Sequence, residues 1–570
     1  MAADDARFMI IQKNVFICHG MFHGQRRAEI SLFSIIMKIN LPFIHWSRIS
    51  NDKRLVLSVV VFTLSNILVS SGAHLIYRIL FFTLALLIIK AMKSLTLRFI
   101  LAFSFTLLTA ADISISLYSW CTFGTTFNDG FAISILQTDP DEVIRMFRMY
   151  VVYVIAFIIL FLLFFCSAIN KTSSLPLEKV TVITFLLLIT VTLYSSFQFA
   201  LKKQYQINEV DPYIVASRFA TYTPFFNLNY FALAAKEHQR LMTIADTIPH
   251  YDLVITDNNT DVFVLVIGES ARADNMSIYG YSRPTTPELQ KQKSRLKLFT
   301  QAISGAPYTA LAVPLALSVN TVLHHDVRHY PDNIINMANQ AGFDTWWLSA
   351  QSAFRQNGTA VASIAMRARN RIYVRGYDEL LLPHLAEALN SNPGGRKLIV
   401  LHLTGSHEPV CSNWPRDKAV FKPLDTEEVC YDNSIHYTDS LLGQVFAMLE
   451  TRRASVMYFS DHGLEYDPTK EHAYFHGGIK PSQQAYHVPM FIWYSPALGE
   501  HVDRQTVNSV FSTAYNDYLI NAWMGVTRPA QPKTPEEVIT RWQGKSVVFD
   551  ASHNVFDYKV LRKNFNEPLE

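Results

Sequence analysis

Apolar residues crowd the first third of the chain in runs long enough to cross a bilayer, then shorten to strand-length bursts separated by mixed, helix-like stretches. The long runs predict five transmembrane helices at about residues 55–73, 76–92, 97–118, 149–168 and 180–200, each near the roughly 20 residues that a hydrocarbon core requires. A further apolar patch at 28–45 is interrupted by Lys38, Asn40, Pro42 and His45, so the same pattern also admits four or six spans. Beyond about residue 250 the bursts VFVLVI (262–267), TWWLS (345–349), LIVLHL (398–403), VMYFS (456–460) and MFIWY (490–494) read as strands. Residues 331–341, 432–450 and 511–524 read as helices, the second with Tyr437, Leu441, Leu442, Val445, Phe446 and Leu449 on one face. Continuous apolar strands alternating with helices predict an α/β fold, a parallel sheet covered on both faces.

Basic residues orient the membrane part. Lys53 and Arg54 precede the first span; Lys90, Lys93 and Arg98 flank the turn after the second; Lys171 and Lys179 flank the turn after the fourth. Placed in the cytoplasm by the positive-inside rule, they send the loop 119–148 and everything after residue 200 to the outer side, which in a Gram-negative cell is the periplasm. Asp112 lies inside the third run. It reads either as a functional intramembrane carboxylate or as a side chain satisfied by water or a nearby base close to the outer interface. The first 36 residues are neither amphipathic nor membrane-like and read as an upstream start-site extension. The expected organisation is an extension (1–54), a transmembrane helical domain (55–200), a Phe- and Tyr-rich interfacial linker (201–250) and a catalytic domain (251–570).

At 570 residues the chain exceeds one compact core. Its net charge of +3 gives no electrostatic footprint for nucleic acid. Cys411 and Cys430 are the only two cysteines beyond the membrane part. They suit one disulfide if that part lies outside the cytoplasm, as the orientation favours, and two free thiols otherwise.

The chemistry gathers at strand ends, where open α/β sheets bind ligands. VMYFS delivers Asp461 and His462 side by side, VFVLVIG leads into Glu269, LIVLHLTGS leads into His407, and Ser352 follows TWWLS. Hard oxygen and borderline nitrogen donors are the mixture that zinc accepts. Thr309 sits between a Gly-Ala-Pro turn and an apolar helix-like stretch, where it reads as a plain N-cap or as a hydroxyl that a metal activates.

Taken together, GESARADNMSIYGYSRPTTP, SGAPYTALAVP, GSHEP, YDNSIHYTD, SDHG and YFHGG, in this order behind membrane helices, resemble the phosphoethanolamine transferases, a membrane branch of the alkaline phosphatase and sulfatase superfamily. The resemblance is nearest to an uncharacterised enterobacterial paralogue group. It implies an alkaline-phosphatase-like α/β/α sandwich behind the helical bundle, anchored in the bacterial inner membrane. It matches Glu269, Thr309, Asp461 and His462 to zinc ligands, with Thr309 the nucleophile, and allows a second zinc. His407 and His476 match histidines that hold substrate phosphate or a second metal and handle the leaving group's proton. Ser352 and Arg355 match phosphate contacts, and Ser134, Thr138 and Glu142 match donor-site positions. The implied donor is phosphatidylethanolamine and the implied acceptor an envelope glycolipid or glycan.

Three departures stand out. The lipid A enzymes bracket the nucleophile with a disulfide where this chain has Gly305 and Leu315; Arg355 replaces a lysine, and Ser134 an asparagine. A sulfatase is excluded because YTALAVP lacks the Cys/Ser-x-Pro-x-Arg setting. A phosphoglycerol transferase using the same threonine and a catalytically silent membrane-anchored relative are the alternatives, the first disfavoured by Glu142 and the loop around Thr138, the second by the complete ligand set.

Overall fold

The computed structural model describes residues 52–67, 72–123, 126–128, 131–132, 135, 140–170, 179–203, 212–244, 248–256, 258–351, 360–392, 394–469, 473–476, 478, 480–499 and 503–567. The expected extension 1–54 therefore lies almost wholly outside the described residues. The chain forms two compact units, one from the described residues up to Phe123 together with Val151–Asn229, the other from Thr126–Tyr150 together with Tyr230 onward. The stretch read as a single linker, 201–250, is thus divided between them.

The described residues up to 244 are mainly helical: α1 (Lys53–Ile67), α2 (Gly72–Ala91), α3 (Leu95–Phe123), α4 (Pro140–Ile169), α5 (Lys179–Lys203), α6 (Pro212–Ala220) and α7 (Leu228–Ile244). Among the described residues, four helices are long and apolar enough to cross a membrane, with spans His74–Ala91, Leu95–Thr122, Tyr150–Ile169 and Thr181–Phe199. The remaining expected span, 55–73, has its first part in α1, and its residues 68–71 lie outside the described residues. Helix α4 starts nine residues before the expected 149, at Pro140, whose fixed φ suits a first helical turn. The polar run after it hides that start from a search for apolar runs.

Two buried polar side chains tie the first unit together. Lys90 Nζ lies 2.9 Å from Asp52 Oδ2 and donates to the Ser167 carbonyl at 2.6 Å. Asp112 Oδ1 accepts the Asn227 amide at 2.7 Å, and Asn227 Nδ2 donates to the Asp112 carbonyl at 3.1 Å and to Ser116 Oγ at 2.9 Å. The carboxylate is therefore satisfied by a backbone amide, a tie between α3 and the segment before α7.

The second unit is built on β1 (Val262–Gly268), β2 (Leu296–Phe299), β3 (Asp344–Ser349), β4 (Asn370–Tyr373), β5 (Lys397–His402), β6 (Ala454–Ser460) and β7 (Met490–Tyr494). They lie in the order β2-β7-β6-β1-β5-β3-β4. All five strands read from the sequence are present. The sheet is mixed, however: β7 runs antiparallel to both β6 and β2. Met490 stands opposite Phe459, so the connection leaves and re-enters at the same end of the sheet and the strand must run back. An apolar run carries no sign of its direction. Edge strands β2 and β4 were missed because LKLF and NRIY interrupt their apolar residues with charge.

Period-2 alternation along the strands sorts the core into two layers. Phe263, Leu265, Ile267, Val400, Met457 and Phe459 face α8 (Thr309–Leu317), α9 (Ile334–Gln340) and a later helix, Asn516–Met524. Val262, Val264, Val266, Leu401, Val456 and Tyr458 face α10 (Leu382–Asn390) and α11 (Glu427–Leu449). The result is an α/β/α sandwich. Helix α11 begins five residues before the expected 432, capped by Thr426 Oγ1 on the Val429 amide, with Glu427 and Glu428 in its first turn. Its expected apolar face is buried. Asn516–Met524 forms the helix expected at 511–524, after a short strand at Phe511–Ser512. Cys411 and Cys430 form a disulfide across 19 residues, a closure that contributes about 3 kcal/mol by loop entropy.

Candidate metal centre and active site

Strands β1 and β6 are parallel neighbours whose register continues past their ends, where the Asp461 amide donates to the Gly268 carbonyl at 3.0 Å. This stitch brings Glu269 beside Asp461 and His462, all three essentially buried. Ser270 holds a left-handed φ of 58°, a conformation a non-glycine residue keeps only when its surroundings fix it. Its amide donates to Asp461 Oδ1 at 3.0 Å and its hydroxyl to Glu269 Oε1 at 2.7 Å.

The third element is the turn before α8. Ser304 Oγ bonds the carbonyls of Ala306 and Asp461, which ties the turn to the end of β6. Thr309, the first residue of α8, thereby places Oγ1 at 3.1 and 3.0 Å from Glu269 Oε1 and Oε2 and at 3.3 Å from His462 Nε2. His462 Nε2 lies 3.3 Å from Glu269 Oε1 and 3.4 Å from Asp461 Oδ2.

These donors fit a metal ion. Four ligands placed tetrahedrally about 2.0 Å from zinc stand about 3.3 Å from one another, close to the separations found here. Asp461 Oδ1 is occupied by the amides of Ser270 and His462, while Oδ2 is buried with no hydrogen-bond partner among the described residues. His462 Nδ1 faces the Gly463 carbonyl at 2.7 Å, where it can only donate, so Nε2 keeps its lone pair for a cation. Among the described residues, Glu269, Asp461 and His462 form the one group of three acidic or histidine side chains able to share a metal.

The electrostatics ask for positive charge. Burial pushes the Asp461 carboxyl up to about 7, with the Glu269 charge adding to it. Burial likewise opposes ionised Glu269, yet the hydrogen bond and charge of His462 hold it well below the usual carboxylate range. Burial favours a neutral His462, but the Asp461 charge and then the Glu269 hydrogen bond override it and raise the ring to about 9. Without a metal, the imidazole proton compensates two crowded carboxylates; a divalent cation would take over that task.

A histidine pair flanks the centre. The His476 ring lies 5.2 Å from that of His462 and 5.8 Å from that of His407, centroid to centroid. His476 Nδ1 is 3.0 Å from Glu408 Oε1, and His407 Nδ1 is 2.5 Å from the Glu408 carbonyl. Sequence reasoning missed Glu408, although it follows His407 within GSHEP, and Gln351, whose Nε2 donates to Glu269 Oε2 at 2.8 Å. A buried acid next to a candidate histidine was the available signal for Glu408; Gln351 offered none. Ser134, Thr138, Ser352 and Arg355, and the side chain of Glu142, lie outside the described residues. Leu315 packs over Gly305, where a Cβ would fall 2.5 Å from Leu315 Cδ2, so apolar packing occupies these two positions.

Gly405 buttresses Glu269 from below. Its φ is +53°, and a methyl group there would lie 2.8 Å from the Glu269 carbonyl oxygen and 3.0 Å from its amide nitrogen. Gly405→Ala is expected to cost about 1–3 kcal/mol of stability and to displace Glu269. Thermal unfolding and metal content of the purified variant check this; a wild-type melting point with full metal occupancy contradicts it.

Sheet order, strand-end chemistry and threonine-headed helix define an alkaline-phosphatase-like α/β domain, and residues 261–528 match the Sulfatase family. Residues 41–245 match the transferase YhbX N-terminal domain. The chain is 65% identical over 513 residues, 90% of its own length and 95% of the relative's, to the protein named "Putative transferase YhbX" of Escherichia coli O157:H7. It therefore belongs to the YhbX family of membrane transferases. It is also 27% identical over 339 residues, 53% of this chain and 58% of the relative, to phosphoethanolamine transferase EptC of Escherichia coli K12. The solved integral membrane phosphoethanolamine transferase EptA of Neisseria meningitidis shares the fold over 86% of this chain and 98% of its own, with a TM-score of 0.62 at 20% identity.

Proposed function

We propose that the chain is a metal-dependent phosphoethanolamine transferase of the bacterial inner membrane. On this reading the catalytic unit faces the periplasm and moves phosphoethanolamine from phosphatidylethanolamine to an envelope glycolipid or glycan. The observation that carries it is the Thr309 hydroxyl standing within 3.0–3.3 Å of Glu269 and His462. The named activity of EptC, the membrane-length apolar helices and the basic residues flanking them support the substrate class and orientation.

Glu269, Thr309, Asp461 and His462 would hold one zinc ion, which when bound supplies a Lewis acid that lowers the pKa of the threonine hydroxyl and neutralises phosphoryl charge. Thr309 loses its proton to water and its oxygen attacks phosphorus. The ester bond to diacylglycerol breaks, and the departing oxygen takes a proton from His407 or His476. The acceptor hydroxyl then gives its proton back to that ring, attacks the phosphothreonine and releases Thr309. Placement on rigid strand and helix ends serves in-line transfer, where positioning and charge stabilisation supply most of the rate. Ser352 and Arg355 would contact the phosphate, and Ser134, Thr138 and Glu142 the donor headgroup. The test is diacylglycerol release from phosphatidylethanolamine by purified protein and its Thr309→Ala variant; equal rates reject the covalent route.

A further inference from the structure

Both family matches stop at or before residue 528, yet the chain after it returns to the active site. Strands β8 (Val547–Phe549) and β9 (Val555–Asp557) form an antiparallel hairpin. Its tip, residues 550–554, is tightly determined. Fully buried Asp550 accepts the amides of Ser552 and Asn554 on Oδ1 at 2.8 and 2.9 Å and Asn554 Nδ2 on Oδ2 at 3.0 Å. Between them His553 is held at φ +59°, in the left-handed region, a conformation that such a residue keeps only under constraint.

The held imidazole meets the nucleophile turn. His553 Nε2 lies 3.1 Å from the hydroxyl of Tyr308, the buried residue directly before Thr309, whose carbonyl accepts the Ala312 amide at 2.9 Å to start α8. His325 packs edge-on against His553 and Phe549, with centroids 5.8 and 5.5 Å away, and bonds the Tyr330 hydroxyl at 2.8 Å. The hairpin also grips the backbone of both loops that carry chemistry. The Phe549 amide donates to the Gly305 carbonyl at 2.8 Å, ahead of Thr309. The Ala551 amide donates to the Gly478 carbonyl at 3.1 Å, and the Lys480 amide to Asp550 Oδ2 at 3.4 Å, just beyond His476.

We propose that this C-terminal hairpin is a clamp that sets the spacing between Thr309 and His476, and that His553 is a positioning residue acting on Thr309 through the Tyr308 hydroxyl. The proposal rests on reading Thr309 as the nucleophile. An error in placing a nucleophile by about 1 Å can cost about 100-fold in rate.

His553→Gly removes the imidazole while glycine accepts the backbone angle freely, and Tyr308→Phe removes only the hydroxyl. Each is expected to lower kcat for diacylglycerol release from phosphatidylethanolamine micelles about 10-fold, with KM and metal content unchanged. The double variant should be no slower than either single, because both delete one shared bond. His553→Gln, whose amide reaches the place of Nε2, should recover most of the rate. Amide hydrogen exchange over residues 304–312 should quicken about 10-fold in His553→Gly, a readout that needs no turnover. Wild-type kcat in both single variants, multiplied losses in the double, or unchanged exchange overturns the clamp. Thr309→Ala in the same assay separates the two failures. If it keeps the wild-type rate, the nucleophile is wrong and the exchange result alone judges the hairpin. If it is inactive while His553→Gly is unimpaired, the clamp alone is wrong.

Discussion

Thr309→Ala is expected to lower diacylglycerol release by about 10⁴-fold or more, with fold and metal content retained. On the proposed mechanism the side chain contributes the nucleophilic oxygen, and in the structure it donates to Glu269. Its neighbours do not depend on it. Glu269 is held by Ser270 and Gln351, Asp461 by two backbone amides, and His462 by the Gly463 carbonyl. The loss should therefore appear in chemistry rather than in stability. Thr309→Ser, which keeps the hydroxyl, should hold far more activity than Thr309→Ala. An alanine variant that turns over phospholipid at the wild-type rate, or a serine variant as slow as alanine, removes the hydroxyl from the reaction.

The second large effect concerns the metal. His462→Ala deletes the one nitrogen among four donors and leaves two buried carboxylates facing each other without their compensating imidazole. Metal content should fall to background and turnover by at least about 10³-fold. Chelation of the wild-type protein should have the same effect, and added zinc should restore the wild type but not His462→Ala. Elemental analysis paired with lipid turnover reads both. Full turnover in metal-free wild type would leave Glu269, Asp461 and His462 as a structural cluster.

How much of this could be read from the chain differs from element to element. The runs around Val264, Val400 and Val456 are central strands buried on both faces, so their sequence is uninterrupted and their ends mark the site. Glu269, His407, Asp461 and His462 follow those ends within a few residues, and parallel register then places them at one edge of the sheet. Edge strand β2 carries a charge among its apolar residues, the buried Lys297 that pairs with Asp503 and Glu536, and so lost its apolar signature. The direction of β7 and the roles of Gln351, Glu408 and His553 depend on contacts between segments far apart in sequence, which a linear pattern does not carry.

The most direct test is the mass of the protein itself. Purified wild type is incubated with phosphatidylethanolamine and no acceptor, then quenched in acid and weighed intact, with peptide mapping to locate any adduct. A covalent route through Thr309 leaves a fraction of the protein heavier by one phosphoethanolamine, mapped to Thr309 and absent from Thr309→Ala. Diacylglycerol release without an adduct, or an adduct on another residue, contradicts it.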